Sequence, residues 1–329
     1  MKKLFIGIDV SKDVFDFCLL DQEHKVISSK NVEENTSTGI NNFCDLLQNY
    51  EEYSIWICME HTGRYGSLLC SEFSKRNLTY SLLNPLEIKY SIGLTRGKND
   101  AIDAYRIASY AVTNAHKLKP FNLPVESLQK LKVIISVRDA FVKISVQLKN
   151  QLKSLEVLHK SLSVKEEIKM IKAAIKRHEK DILKAEMQMI EIVESNQELL
   201  ENYTKISTVI GVGKITAIKC IVETENFSKF KDGRKFSCHC GLAPFENRSG
   251  SSIRGKTKTS KLRNKELKAV LFKAASSAIQ HDKQLKGYYN RKVNEGKHKL
   301  SVLNAVANKI VLRIFAVVNR NEPFIKLCA

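Results

Sequence analysis

Between Pro124 and Pro244 the chain contains no proline, and up to Gly211 it contains no glycine, so the stretch that follows Pro124 is suited to long uninterrupted helices. Its apolar residues agree. Ile168, Ile171, Ile175, His178, Ile182, Ala185, Met189 and Ile192 follow one another in alternating steps of three and four, with charged residues between. That spacing keeps one stripe on one face of a helix and is the pattern of a coiled coil. A helix over residues 125–162 precedes it, with Phe141, Ile144, Leu148, Leu155, Leu158 and Leu162 at similar steps and Gln151 interrupting the seam. Ser163 and Glu166 match a capping box, which would start the second helix at Ser163. The seam can close within one chain, as a helical hairpin, or between chains. His178 on it is expected to be a packed core residue rather than a ligand.

This helical stretch divides the chain. Residues 1–115 alternate strand and helix signals, with strands expected over 4–10, 14–20, 25–32, 55–59 and 80–83 and helices over 38–50, 67–76 and 100–112. Three strands, a helix, then a strand ending in an acid is the order of a ribonuclease-H-like α/β domain. Four acids stand out in it. Asp9 lies near the end of the first apolar run, and a buried strand-end acid is costly unless it meets a cation or a hydrogen-bond donor. Glu60 ends the run Ser54-Ile55-Trp56-Ile57-Cys58-Met59, and Asp100 and Asp103 are spaced to share one helical face. Singly, each acid passes as a turn residue, a strand terminator or a helix cap. Together they suggest a divalent-metal cage for phosphodiester chemistry.

The remainder, from about residue 203, reads as mainly α. Ile210-Gly211-Val212-Gly213-Lys214 links helical patterns at 199–209 and 215–223. Gly211 and Gly213 either aim free backbone N–H groups at a phosphate, as in helix-hairpin-helix DNA binders, or serve a tight interhelical turn. Further on, a serine-rich loop at 248–252 is followed by a basic ladder of Arg254, Lys256, Lys258, Lys261, Arg263, Lys265 and Lys268, which suits either a phosphate-handling surface or a solvated linker. Helices are expected at 267–279 and 300–318. The formal net charge of +19, from 54 Lys and Arg against 35 Asp and Glu, indicates a polyanionic partner, with nucleic acid before a membrane surface. No apolar run is expected to reach the ~20 residues of a spanning helix, and Asp9 interrupts the apolar start, which argues against a signal peptide. Eight cysteines without C-x-x-C spacing read as reduced thiols of a cytoplasmic protein, and Cys238-His239-Cys240 lacks the second ligand pair a zinc site needs.

Several of these stretches together resemble one family. They are Gly7-Ile8-Asp9-Val10-Ser11-Lys12, Met59-Glu60-His61-Thr62-Gly63-Arg64-Tyr65 and Lys98-Asn99-Asp100-Ala101-Ile102-Asp103-Ala104, joined by Ile210-Gly211-Val212-Gly213-Lys214, Gly241-Leu242-Ala243-Pro244 and Arg248-Ser249-Gly250 before a basic run. The chain resembles, over nearly its whole length, the DEDD transposases of the insertion-sequence one-hundred-and-ten family, kin to the Piv and MooV DNA invertases. The resemblance implies a RuvC-like (ribonuclease-H-like) α/β domain over residues 1–118, a coiled-coil helical hairpin over 125–200, and a mainly α C-terminal transposase domain over 201–329. It implies Mg2+ held by Asp9, Glu60, Asp100 and Asp103, and Ser249 as the nucleophile of a phosphoserine intermediate in DNA strand exchange. Arg248 stands where the family usually has another serine, and Ser251 and Ser252 lie just beyond. The implied partners are double-stranded DNA, an element-encoded structured RNA that guides the reaction, and further copies of the chain in a dimer or tetramer. Arg248, Arg254, Lys256, Lys258, Lys261, Arg263, Gly211 and Gly213 form the expected nucleic-acid surface. Two rivals remain: a RuvC-like structure-specific endonuclease that uses water as nucleophile, and a non-enzymatic nucleic-acid-binding protein with a degenerate site.

Overall fold

The computed structural model describes residues 2–61, 63–91, 99–230, 232–249, 253–260 and 262–325. The chain forms two compact units, Met1–Leu123 and Pro124–Ala329. In the first, β1 (Lys2–Val10), β2 (Val14–Asp21) and β3 (Val26–Glu34) form an antiparallel meander; α1 (Ser37–Gln48) leads to β4 (Tyr53–Glu60), and α2 (Ser67–Lys75) to β5 (Tyr80–Leu83). The short α3 (Pro85–Ser91) and α4 (Asp100–Thr113) complete the unit. The sheet runs β3-β2-β1-β4-β5, with β4 parallel to both β1 and β5. The expected strands and the three expected helices are all present, and α3 is an addition.

Alternation along the strands gives the sheet two different faces. Leu4, Ile6, Ile8, Phe15, Phe17, Leu19, Ile57 and Met59 pack with Ile40, Phe43 and Phe73 of α1 and α2. On the opposite face Phe5 and Cys58 meet Ile107 and Ala111 of α4, while Cys18 and Leu20 meet Ala104 and Ala108. The crossing of α4 and β1 is close. A Cβ added to Gly7 would sit 2.2 Å from the carbonyl oxygen of Ala104 and 2.3 Å from the backbone nitrogen of Ala108. Only a residue without a side chain fits there, and the small Ala104 and Ala108 complete the contact.

The second unit begins with α5 (Glu126–Leu158) and α6 (Lys165–Glu194), which pair as an antiparallel hairpin. Arg138 reaches Glu186 at 2.7 Å, Lys149 reaches Glu179 at 2.8 Å, and Lys172 reaches Glu156 at 3.7 Å. The heptad stripe of α6 is therefore used within the chain, with Ile175, Ala185 and Met189 buried and His178 packed 5.6 Å from the Phe141 ring. On α5 the seam differs from its sequence reading. Ile144, Leu158 and Leu162 are exposed, and Ser145 is buried in the seam instead. The capping box at Ser163 does not form: Val164 occupies the N-cap without a side-chain hydrogen bond, and its N–H donates to Nδ1 of His159 at 3.2 Å.

The hairpin's open end, through Leu128, Leu131, Met189 and Val193, joins the core of α7 (Gln197–Ser207), α8 (Lys214–Glu223), α9 (Gly233–His239), α10 (Lys265–His281), α11 (Lys283–Asn294) and α12 (Lys299–Arg320). The sequence reading did not anticipate α9, α11 or the hairpin of β6 (Pro244–Ser249) and β7 (Ile253–Thr259). α12, contrary to expectation, is long and apolar enough to span a membrane, with a mean hydropathy of 1.6. Val306, Ala307, Ile310, Val311 and Ile314 are fully buried in this core, so it is built as a core helix. The cysteines among the described residues are unpaired.

Replacing Gly7 by alanine should destabilise the full chain by about 1–3 kcal/mol, because a methyl group must displace the α4 backbone. Chemical denaturation checks this against Gly213→Ala, where an added Cβ meets nothing within 4 Å and stability should change far less.

Candidate active site

The register of the sheet sets up a row of carboxylates. Gly7 is level with Cys58 and Ile8 with Met59 across the parallel β1–β4 pair, so Asp9 comes beside Glu60. Across the antiparallel β1–β2 pair Asp9 is directly opposite Asp16. All three acids share the parity of Gly7 and Cys58 and lie on the face that α4 covers. α4 begins at this level. Asn99 caps it, its Oδ1 accepting the Ile102 N–H at 2.7 Å, and Asp100 and Asp103 occupy the first turn. The positive end of the helix dipole thus points toward the acids and offsets part of their mutual repulsion.

Burial, and then the charges of Asp103, Asp100, Glu60 and Asp16, push the Asp9 carboxyl up to about 6. The other three expected acids, Glu60, Asp100 and Asp103, therefore all act on Asp9. Asp16, which the sequence reading passed over, is a fifth, held above the usual carboxylate range by burial and then by Asp100. Its signal was the short turn at 11–13: pairing Val10 with Phe15 across that turn puts residue 16 opposite residue 9. Asp103 also pairs with Arg106 at 2.8 Å. Among the described residues no three Asp, Glu, His or Cys side chains stand close enough to share one ion. The fit to a divalent cation is thus one of donor chemistry and charge. Hard carboxylate oxygens lie within electrostatic reach of Asp9, and the repulsion felt there is what a cation would relieve.

The C-terminal residues are arranged differently from their sequence reading as a loop. Arg248 and Ser249 end β6, where Ser249 is level with Ile253 and Arg248 with Arg254; Lys256 and Lys258 lie on β7. For Arg248, Ser249, Arg254, Lys256 and Lys258 only the backbone is described, and Ser251, Ser252 and Lys261 lie outside the described residues. The base of the hairpin is firmly held. The N–H of Asn264 donates to the His239 carbonyl at 2.9 Å, Lys268 Nζ to the Gly241 carbonyl at 2.8 Å, and Asn304 Nδ2 to the Leu242 carbonyl at 2.7 Å. Arg263 lays its aliphatic stem on Gly241 and donates from Nη1 to the Ser260 carbonyl at 2.9 Å. Arg263 and Lys268 thus both anchor this base.

The two glycines of the α7–α8 turn separate. Gly211 has φ +92°, and an added Cβ would lie 2.5 Å from the Ala274 carbonyl oxygen of α10, so turn geometry and packing require glycine there. Gly213 caps α8 with an extended backbone and open space around it, which leaves its approach clear. Another cationic surface, α11, was not singled out in the sequence. Lys283, Lys286 and Arg291 are exposed on it and Lys297 just beyond, and Tyr288 lies beneath Lys309 Nζ (4.6 Å) and the Arg291 guanidinium (5.8 Å).

Two family profiles match the chain. One described as "Transposase", the IS110-type DEDD profile, covers residues 6–159; one described as "Transposase IS116/IS110/IS902 family" covers residues 203–290. The chain is 24% identical to the pilin gene-inverting protein of Moraxella bovis over 99% of each protein. It is 23% identical to the transposase for insertion sequence element IS1111A of Coxiella burnetii, over 97% of this chain and 90% of that protein.

Because Asp9 binds its proton more tightly in the fold than in the unfolded chain, the metal-free protein should lose stability as pH rises from about 4 to about 6. Asp9→Asn should flatten that decline. Above pH 6 it should stabilise the protein by on the order of 1 kcal/mol, once partial solvent screening is discounted. Urea denaturation across the pH series without divalent cations checks both the sign and the window.

Proposed function

The chain belongs to the IS110 family of transposases, and on that basis we propose that it cleaves and rejoins DNA strands through a phosphoserine link on Ser249, with Asp9, Glu60, Asp100 and Asp103 as the metal-binding carboxylates. The observation that carries this reading is that Glu60, Asp100 and Asp103, from the neighbouring strand end and one helical turn, all act electrostatically on Asp9. The strand order β3-β2-β1-β4-β5, with its acids at the ends of β1 and β4, supports a RuvC-like N-terminal domain.

Mg2+ held by these carboxylates would orient the scissile phosphate and offset charge developing in the transition state. The protein's own part is the nucleophile and its surroundings. The Ser249 hydroxyl loses its proton to a base as its oxygen bonds to phosphorus, and the bridging phosphodiester oxygen departs, taking up a proton. The phosphoserine ester keeps the energy of the broken bond. A hydroxyl end of the exchanged strand then attacks the same phosphorus and releases the serine, so rejoining needs no nucleotide cofactor. Arg248 and Arg254, level with one another across the hairpin, would bring cations to the phosphate.

The polyanion surface in this reading comprises Arg248, Arg254, Lys256, Lys258, Lys261, Arg263 and the Gly211–Gly213 turn, extended by α11. Specificity comes from a structured RNA paired with the DNA, and the active form is a homo-oligomer in the cytoplasm. The hairpin of α5 and α6 serves as a connector (125–200) between a catalytic domain (1–118) and a transposase domain (201–329).

Ser249→Ala should abolish strand exchange and the covalent protein–DNA adduct trapped by denaturation, yet leave DNA affinity within about twofold, because one hydroxyl adds little to a polyelectrolyte interface. Asp9→Ala should also abolish exchange. Loss of the adduct at Ser251 or Ser252 instead would move the nucleophile along the chain. Cleavage that survives all three serine changes would return water as the nucleophile and make the protein an endonuclease.

Charge on α11 should register separately. Changing Lys283, Lys286 and Lys297 together to glutamine should weaken binding to all duplex sequences alike. The slope of log affinity against log salt should fall by up to about 1 for each phosphate that is no longer neutralised. Fluorescence anisotropy over a salt series measures both.

A further inference from the structure

α11 has two faces of opposite character. Leu285 is buried, and Tyr288 and Tyr289 pack beside it against the C-terminal core. The other face, at positions 283, 286, 287, 290, 291 and 294, follows the three-four spacing of one helical stripe, and every residue on it is exposed. It reads Lys283, Lys286, Gly287, Asn290, Arg291, Asn294, with no acid and no large apolar side chain. α12 holds the helix from its buried side. Asp282 caps α11, accepting the Leu285 N–H at 2.9 Å, and pairs with Arg313 of α12 at 2.6 Å; Arg313 also donates to Gln284 Oε1 at 2.5 Å.

Gly287 is the residue to explain. A glycine inside a helix costs about 1 kcal/mol relative to alanine. Packing requires glycine at positions 7 and 211, but a Cβ added at Gly287 would meet nothing within 4 Å, and the backbone there is not left-handed. Nothing inside the protein accounts for it. The gap is open to a partner from outside, where a missing side chain lets two surfaces come close. The side chains around the gap are free to meet one. Among the described residues Lys283, Lys286 and Asn290 have no side-chain hydrogen bond or ion pair. Arg291 has only a 3.9 Å ion pair with Glu295 and a 5.8 Å approach to the Tyr288 ring. A face that met water alone would be better served at 287 and 290 by alanine, glutamate or glutamine, which favour the helix more.

The chemistry of the stripe selects the partner. Its cations suit a polyanion, and B-form DNA has a major groove about 12 Å wide that admits an α-helix. Duplex RNA does not, because its major groove is deep and narrow. Arginine pairs bidentately with guanine, and asparagine with adenine, at the major-groove edges. We propose that α11 is a groove-reading helix, which enters the major groove of double-stranded DNA with Gly287 at the closest approach. Asn290 and Arg291 reach base edges, and Lys283 and Lys286 hold phosphates. The inference rests on the proposed action on DNA and goes beyond it, since it gives the protein a sequence preference of its own besides pairing by RNA.

The test uses the full-length protein without RNA and a library of random-sequence DNA duplexes. The wild type should enrich a preferred sequence. Asn290→Ala and Arg291→Ala should each relax that preference at one base pair by about 5- to 150-fold, the range of one bidentate contact. Lys286→Gln should instead weaken all duplexes alike. Gly287→Leu should unfold at no lower temperature than the wild type, because leucine favours the helix and its Cβ meets open space. It should nevertheless weaken binding to every duplex by about tenfold or more, by holding the helix off the groove. If Gly287→Leu does not fold, Gly287→Ala is judged on the same affinities. Duplex binding without any preference, a preference that survives both Asn290→Ala and Arg291→Ala, or a Gly287→Leu protein that binds as the wild type does would each overturn the inference. Loss of duplex RNA binding in Gly287→Leu, with DNA binding kept, would assign the face to RNA and overturn it as well. A wild type that binds no duplex DNA at all would remove the proposed action on DNA, an outcome distinct from DNA binding without a preference.

Discussion

A helix can lie directly on a β-strand only where the strand presents no side chain at the crossing. Gly7 supplies that gap, and the backbone of α4 at Ala104 and Ala108 fills it. The arrangement of the N-terminal unit follows from this contact. Since Gly7 is two residues from Asp9, the first turn of α4 comes down at the level of the strand-end acids. A larger residue at position 7 would lift the helix and move Asp100 and Asp103 off the carboxylates they face. The glycine therefore serves the site by determining how near the helix stands to the strand.

Such closeness has an electrostatic cost. Four carboxylates act on Asp9 at the end of the sheet, and together with burial they make it hold its proton to about pH 6. The hydrophobic core on the opposite face, where Phe15, Phe17, Phe43 and Phe73 stack in tilted and edge-on pairs, offsets that repulsion. One face of the sheet thus supplies stability and the other holds charge in an arrangement the unfolded chain would not keep. This division of labour is common where a site is built for a cation or a phosphate.

Much of this was legible in the sequence because it was written in periodicities. The five strands, α1, α2 and α4, and the long helices of the second unit all announced themselves by apolar spacing. The four acids followed, since Asp9 and Glu60 close apolar runs and Asp100 and Asp103 share a helical face. What escaped required pairing information. Asp16 becomes significant only once Val10 is set opposite Phe15, and no local pattern marks it. The strands Pro244–Ser249 and Ile253–Thr259 are rich in Arg, Lys, Ser and Thr, so their composition reads as a solvated loop. α11 is too polar and α9 too short to show a clear stripe. The capping box at Ser163 failed because the chain turns earlier, and the His159 ring, one turn back, takes over the role of acceptor. Similarly, Ile144 and Leu158 fit a heptad count from one end of α5, but pairing with α6 selects the face that carries Ser145 instead.

The hairpin of α5 and α6 has a further consequence. Its helices, of 33 and 30 residues, run to about 45–50 Å at 1.5 Å per residue, and only one end is embedded in the core. Toward the turn at 159–164, among the described residues of this unit, each helix packs against its partner alone, so cooperativity falls off along the arm. The distal turns are therefore expected to open more readily than the base, which packs on α7 and α8. Such an arm is modular in length: removing seven residues from each helix at matched levels would bring the tip inward by about 10 Å and leave the seam in phase and the core untouched.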